Sequence, residues 1–299
     1  MGLMNQTTDN KRPIVFGEVL FDSFPDGNLV LGGAPFNVAW HLAGFGMEPL
    51  MVTCIGDDVA GDQVRTMMQD WGMDISGLQS SDQYPTGRVE VSFPDGKPSY
   101  DIVPDQAYDY INNKLVNEIK GSGEFSLIYH GSLALRNTES NETLDEMIAS
   151  TQLPVFLDLN LRSPWWSHEQ IEKLLYRATW LKLNDEELFE ISKPAGKDIE
   201  ALKRAASEIL TQYRLERIIV TLGEYGAFVV GHDCITEGRP GNIGHIVDTV
   251  GAGDAFSSVM IMGLIKKWTI SEMLDRALVF ASAICQQQGA TNRNHSLYQ

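Results

Sequence analysis

Short apolar runs and amphipathic stretches alternate along most of the chain. Pro13–Val19, Met51–Ile55, Phe125–His130, Val155–Leu159, Thr179–Leu183, Arg217–Leu222 and Ala227–Val230 are strand candidates, several nearly continuous in apolar residues, as in strands covered on both faces. Helical periodicity fills the gaps. Asp58–Trp71 reads as a helix closed by Gly72, and Ser271–Gln288 carries a stripe of Met273, Leu274, Ala277, Leu278 and Ala281. Such alternation predicts an α/β fold: a mostly parallel sheet with helices on both faces, and ligands at the C-terminal ends of its strands.

Two segments depart from this rhythm. Residues 20–31 read as two short strands around an Asp26-Gly27 turn. Residues 86–103 alternate through Arg88-Val89-Glu90-Val91-Ser92-Phe93, turn at Pro94-Asp95-Gly96 and return through Tyr100 to Val103. Together they predict a small β-sheet apart from the main one. Residues 1–12 are expected to be a disordered tail, and 13–299 one domain, because no repeat, low-complexity tract or linker divides them.

Charge narrows the range of partners. Forty acids against 23 bases give a net charge of −17, which argues against nucleic acid, although a local pocket can still attract an anion. No apolar run is long enough to span a bilayer, and Met1–Lys11 lacks a signal-peptide core, so a cytoplasmic location with no membrane partner is expected. Cys54, Cys234 and Cys285 are far apart and form no C-x-x-C pair, the pattern of reduced thiols. The six histidines form no H-E-x-x-H motif, which excludes the common zinc hydrolases; His130, at a strand end, is expected to be structural.

The chemistry concentrates in Val247-Asp248-Thr249-Val250-Gly251-Ala252-Gly253-Asp254-Ala255-Phe256. Gly251 and Gly253 permit a tight turn and close approach to a ligand. The run behind them places Phe256, Val259, Met260, Gly263 and Leu264 on one helical face, with Ser257 and Ser258 elsewhere. The amides of Ala252, Gly253 and Asp254 would then sit at a helix N-terminus, where an anion is favoured. Asp254 would repel that anion unless it has another task, and accepting a proton from an attacking hydroxyl is such a task. A Rossmann fingerprint would need glycine in place of Phe256, and no P-loop motif occurs. A second glycine turn, Gly32-Gly33, precedes the helix pattern Ala34-Pro35-Phe36-Asn37-Val38-Ala39, in which Asn37 offers an amide to hydroxyl groups.

Asp248–Phe256 resembles the C-terminal signature of the PfkB (ribokinase-like) family of carbohydrate kinases, and Gly32–Gly46 resembles its N-terminal signature. The resemblance implies transfer of the γ-phosphoryl group of ATP to a sugar hydroxyl, with Mg²⁺ and, in many relatives, K⁺. Residue by residue it implies that Asp22, Gly32, Gly33 and Asn37 hold the sugar. Asp254 is then the base, the Gly251–Gly253 amides the anion hole and Arg162, in Asp158-Leu159-Asn160-Leu161-Arg162, a phosphate partner. Asn184 and Glu187 resemble the family's Asn-x-x-Glu, which organises Mg²⁺ through water, while Thr221, Gly223 and Gly226 resemble its nucleotide turn. Asp248, Thr249 and carbonyls near Gly289 and Ala290 match the potassium position. The small sheet would be the lid over the sugar, with edges able to pair in a homodimer. Phe36 stands where a small residue is expected, implying a narrower or differently shaped pocket. The pattern is most like the bacterial fructokinase branch, hence D-fructose as acceptor. Ketodeoxygluconate, ribose and nucleosides remain open, as does a catalytically silent sugar-binding regulator on the same fold.

Overall fold

The computed structural model describes residues 11–94, 99–196, 198–241 and 244–299. Its strands are β1 (Arg12–Phe16), β2 (Leu20–Ser23), β3 (Leu29–Gly32), β4 (Leu50–Gly56), β5 (Leu78–Ser81), β6 (Gly87–Ser92), β7 (Ser99–Ile102), β8 (Phe125–His130), β9 (Val155–Asp158), β10 (Trp180–Asn184), β11 (Arg217–Thr221), β12 (Ala227–Gly231) and β13 (Ile235–Gly238). The α-helices are α1 (Ala34–Gly44), α2 (Val59–Asp70), α3 (Val116–Ile119), α4 (Thr138–Thr151), α5 (His168–Arg177), α6 (Asp185–Ser192), α7 (Ile199–Tyr213), α8 (Ala252–Ile265) and α9 (Ile270–Ile284).

Nine strands form the main sheet in the order β13-β12-β11-β10-β9-β8-β1-β4-β5. Every pairing from β11 to β5 is parallel, and β12 and β13 add an antiparallel edge. The two-residue period of a strand sends neighbouring side chains to opposite faces. Val15, Tyr129, Phe156 and Ile219 therefore join the core built with α1, α2, α8 and α9. Ile14, Phe16, Ile128, Leu157 and Leu181 join the core built with α3 to α7. Among the described residues no helix is long and apolar enough to cross a membrane.

The departing segments form the smaller sheet, in the order β3-β2-β6-β7. The β2–β3 and β6–β7 pairs are antiparallel hairpins, whereas β2 and β6 run parallel. Within the predicted turn, Asp95 and Gly96 lie outside the described residues, as does the tail before Lys11. The predicted tail is nevertheless too long by a residue, since Arg12 opens β1 and its guanidinium bonds Asp74 and the Glu48 carbonyl.

Helix α8 departs from the amphipathic reading. Residues 255–263 are all buried, Ser257 and Ser258 included, so α8 is a central helix packed on every side. The serine hydroxyls are satisfied internally, by Asp158 and by the Ala255 carbonyl.

One carboxylate joins the two sheets. Asp58 caps α2 through the Gly61 amide (2.7 Å) and accepts from both the amide (2.8 Å) and the hydroxyl (2.7 Å) of Thr86, just before β6. Thr86 Oγ1 in turn accepts from the Gly56 amide at the end of β4. Asp58→Ala removes a helix cap and two of the bonds holding Thr86. We expect a loss of about 1–3 kcal/mol in denaturant unfolding, and an unchanged midpoint would refute this linkage.

Candidate active site

A cleft of about 1060 Å³ opens along one edge of the main sheet. It is lined by residues that follow β1, β9, β10 and β11, by β2, β3 and β7 of the small sheet, and by the start of α8. All the residues singled out from sequence reach it: Asp22, Gly32, Gly33, Asn37, Arg162, Asn184, Glu187, Thr221, Gly223, Gly226, Asp248, Thr249, Gly251, Ala252, Gly253 and Asp254. Phe36 does not. It is fully buried, its ring 5.8 Å from that of Trp40, because its place on α1 faces the core, so Phe36 does not itself line the cleft. His130 is likewise buried away from the cleft, its Nδ1 bonded to the Gly131 carbonyl at 2.8 Å.

The two glycine turns deliver two helices to one point. Gly33 precedes α1 with φ 104°, and a side chain there would strike the Glu18 carbonyl at 2.7 Å. Gly251 precedes α8 with φ 78°, and a Cβ there would lie 2.4 Å from that of Ala290. No other residue fits either place without strain. One turn into each helix, Asn37 Nδ2 donates to Asp254 Oδ2 at 2.8 Å. The amide oxygen of Asn37 is buried without a partner among the described residues and is left for a ligand.

At the start of α8 no side chain caps the helix. Ala252 N–H turns back to the Thr249 carbonyl at 3.3 Å, so of the three amides expected to face an anion, those of Gly253 and Asp254 have no partner among the described residues. Asp248 shapes the loop, its two oxygens accepting from the amides of Val250 (3.0 Å) and Gly289 (3.1 Å). Burial raises the Asp254 carboxyl to about 6; Asp158 adds to that, while Asn37, Lys182 and Arg162 oppose it.

The family model described as pfkB family carbohydrate kinase matches residues 10–297. This chain belongs to that family. The Salmonella typhimurium fructokinase is 28% identical over 269 residues, covering 85% of each chain. The structure of a Xylella fastidiosa fructokinase with bound ATP superposes with a TM-score of 0.81 at 22% identity, covering 97% of this chain and 95% of that one. The aminoimidazole riboside kinase of Salmonella enterica, complexed with aminoimidazole riboside and an ATP analogue, gives 0.78 at 23% identity, with coverages of 97% and 96%. These likenesses share the ribokinase-like arrangement of a large, mostly parallel sheet and a small one.

The turn after β11 follows from strand register. Thr221 ends β11 beside Asn184 of β10 and opposite Ala227 of β12. The chain reverses through Gly223–Tyr225, with Leu222 N–H bonding the Gly226 carbonyl at 2.8 Å. Asn184 and Glu187 form a reciprocal capping box at the start of α6. Glu187 is committed on both oxygens, to the amides of Leu161 (2.7 Å) and Asn184 (2.9 Å), so it locks the β10–α6 corner to the loop after β9. Among the described residues no group of three or more His, Cys, Asp or Glu is placed to hold a metal ion.

Lys182 was not anticipated from sequence. Its Nζ bonds both oxygens of Asp158, at 2.9 and 3.1 Å, and Asp158 also accepts from Ser257 (2.7 Å) and Tyr129 (3.3 Å). Both ends of this ion pair are buried. A Cβ on Gly253 would lie 3.2 Å from the ammonium, which therefore stands directly behind the anion loop. Burial alone would favour loss of its proton, but Asp158, Glu187 and Asp254 together hold its pKa above the ordinary lysine value. The only sign in the sequence is a lysine inside the apolar run Leu181-Lys182-Leu183. Lys182→Met would strand the Asp158 carboxylate, and we expect a loss of about 3–5 kcal/mol by denaturant unfolding. Adding Asp158→Leu should recover most of it, whereas a single variant as stable as the parent would rule out this account.

Proposed function

We propose that the kinase transfers the γ-phosphoryl group of ATP to a terminal hydroxyl of D-fructose. The hydrogen bond between Asn37 and Asp254 carries this reading, because it joins a hydroxyl-binding amide to a candidate base beside two open backbone donors. Asp22, Gly32, Gly33 and Asn37 hold the acceptor, and the small sheet covers it against water. Asp254 takes the proton of the attacking hydroxyl as its oxygen bonds to the γ-phosphorus and the bond to the ADP oxygen breaks. The Gly253 and Asp254 amides, the Lys182 ammonium behind them and Arg162 meet the negative charge in flight. The nucleotide lies along Thr221, Gly223 and Gly226. Asn184 and Glu187 would order the waters of a magnesium ion brought in with the nucleotide, which would supply positive charge against the phosphates.

The preference for fructose rests on the Asp158–Arg162 pattern and on the Salmonella typhimurium fructokinase. An uncharged sugar also suits the local field: Glu18, Asp22 and Asp254 line the cleft with Arg162 as the cation acting on all three.

Asp254→Asn should lower kcat by a factor of about 10² to 10⁴ while leaving the KM for ATP nearly unchanged. The working form of Asp254 is its carboxylate, so activity should be flat above its pKa of about 6 and fall as pH drops through that value. Turnover of Asp254→Asn close to that of the parent, in a steady-state assay across this range, would remove Asp254 from the role. ADP release measured over a panel of sugars, ketodeoxygluconate and ribosides should be fastest with fructose. Failure of fructose where another acceptor succeeds would reject that choice, and no acceptor-dependent release at all would favour the silent regulator.

A further inference from the structure

Glu18 lies between β1 and β2, is only 3% exposed and lines the cleft. Its Oε2 has no hydrogen-bond partner among the described residues. A buried carboxylate oxygen left open costs folding free energy, and an apolar side chain of similar size would avoid that cost. The groups whose charge reaches it are Arg162, Arg136, Asp254, Tyr108 and Tyr129, and none of them bonds it. Its place is fixed by main chain, since the Gly33 turn packs directly on the Glu18 carbonyl. The carboxylate thus belongs to the same wall as Asp22, Gly33 and Asn37.

We propose that Glu18 is a further substrate-binding residue, whose free oxygen accepts a hydrogen bond from an acceptor hydroxyl other than the one phosphorylated. A carboxylate oxygen accepts, so the donor it suits is a hydroxyl of the sugar. Burial lifts the carboxyl to about 7, in keeping with a group that gains its partner only when the sugar enters. The inference rests on the reading of Asp22, Gly32, Gly33 and Asn37 as the acceptor pocket, but not on which sugar is used.

The experiment takes the full chain with the best acceptor from the panel and the singly deoxygenated analogues of that sugar. Glu18→Gln and Glu18→Ala should raise the sugar KM about tenfold or more, leave the KM for ATP within about twofold and not lower the melting temperature of the ligand-free protein. One deoxy analogue should lose about tenfold in kcat/KM with the parent enzyme and nothing further with Glu18→Ala. Asp22→Ala serves as the control for the pocket. If it raises the sugar KM and the Glu18 variants do not, the role of Glu18 is overturned alone. If Asp22→Ala also leaves the sugar KM unchanged, the pocket assignment falls with it. Variants that unfold, or in which both KM values rise as the melting temperature drops, would show a structural role and overturn the proposal as well.

Discussion

A single hydrogen bond, from Asn37 to Asp254, spans 217 positions of chain and sets the geometry of the cleft. It can form only if α1 and α8 start side by side, which requires both glycine turns and the close packing of those helices. It also orients the carboxylate. With one oxygen held by the amide, the other is left to face whatever occupies the cleft. The open amides of Gly253 and Asp254 lie at the same helix start, so a carboxylate and two backbone donors share one turn of backbone. Each would be weaker elsewhere: the acid would titrate like a surface residue, and the amides would be solvated.

That arrangement needs positive charge on a strongly acidic molecule. Lys182 supplies it from behind the loop, where Asp158 keeps it protonated and Ser257 and Tyr129 complete the shell of Asp158. The ion pair is therefore less a stabiliser of the fold than a way to keep an ammonium in a dry place. Arg162 differs, being exposed, with its guanidinium bonded to the Leu161 carbonyl at 3.3 Å.

Much of this was legible in the chain before any coordinates. The central strands read clearly because both faces are buried and their sequences are apolar throughout. The glycine turns read clearly because a tight turn before a helix is a local feature. β5 (Leu-Gln-Ser-Ser) did not, since it is an edge strand with one apolar residue and is held by its pairing to β4. α8 was misread because its serines look polar until their buried partners are known. Lys182 and Glu18 were illegible for a shared reason: their meaning lies in burial and in neighbours on other strands, which no local pattern encodes. Phe36 erred in the opposite direction, because a departure from a family pattern was taken for a change in the pocket when its place on α1 faces the core.

The far side of α1 is finished by residues near the C-terminus. Trp40 Nε1 bonds the Asn292 carbonyl, His41 bonds the Tyr298 hydroxyl, and His295 stacks on Trp71, itself stacked on Trp40. During synthesis, then, the helix bearing Asn37 emerges long before the segments that cover it. At ribosomal speeds of about 5–20 residues per second, the 252 positions from Trp40 to Asn292 take on the order of 13–50 s. For that interval Trp40 and Trp71 lack their C-terminal cover, so the face behind Asn37 is the last part of the helix to be sealed, after every residue of the cleft has been made.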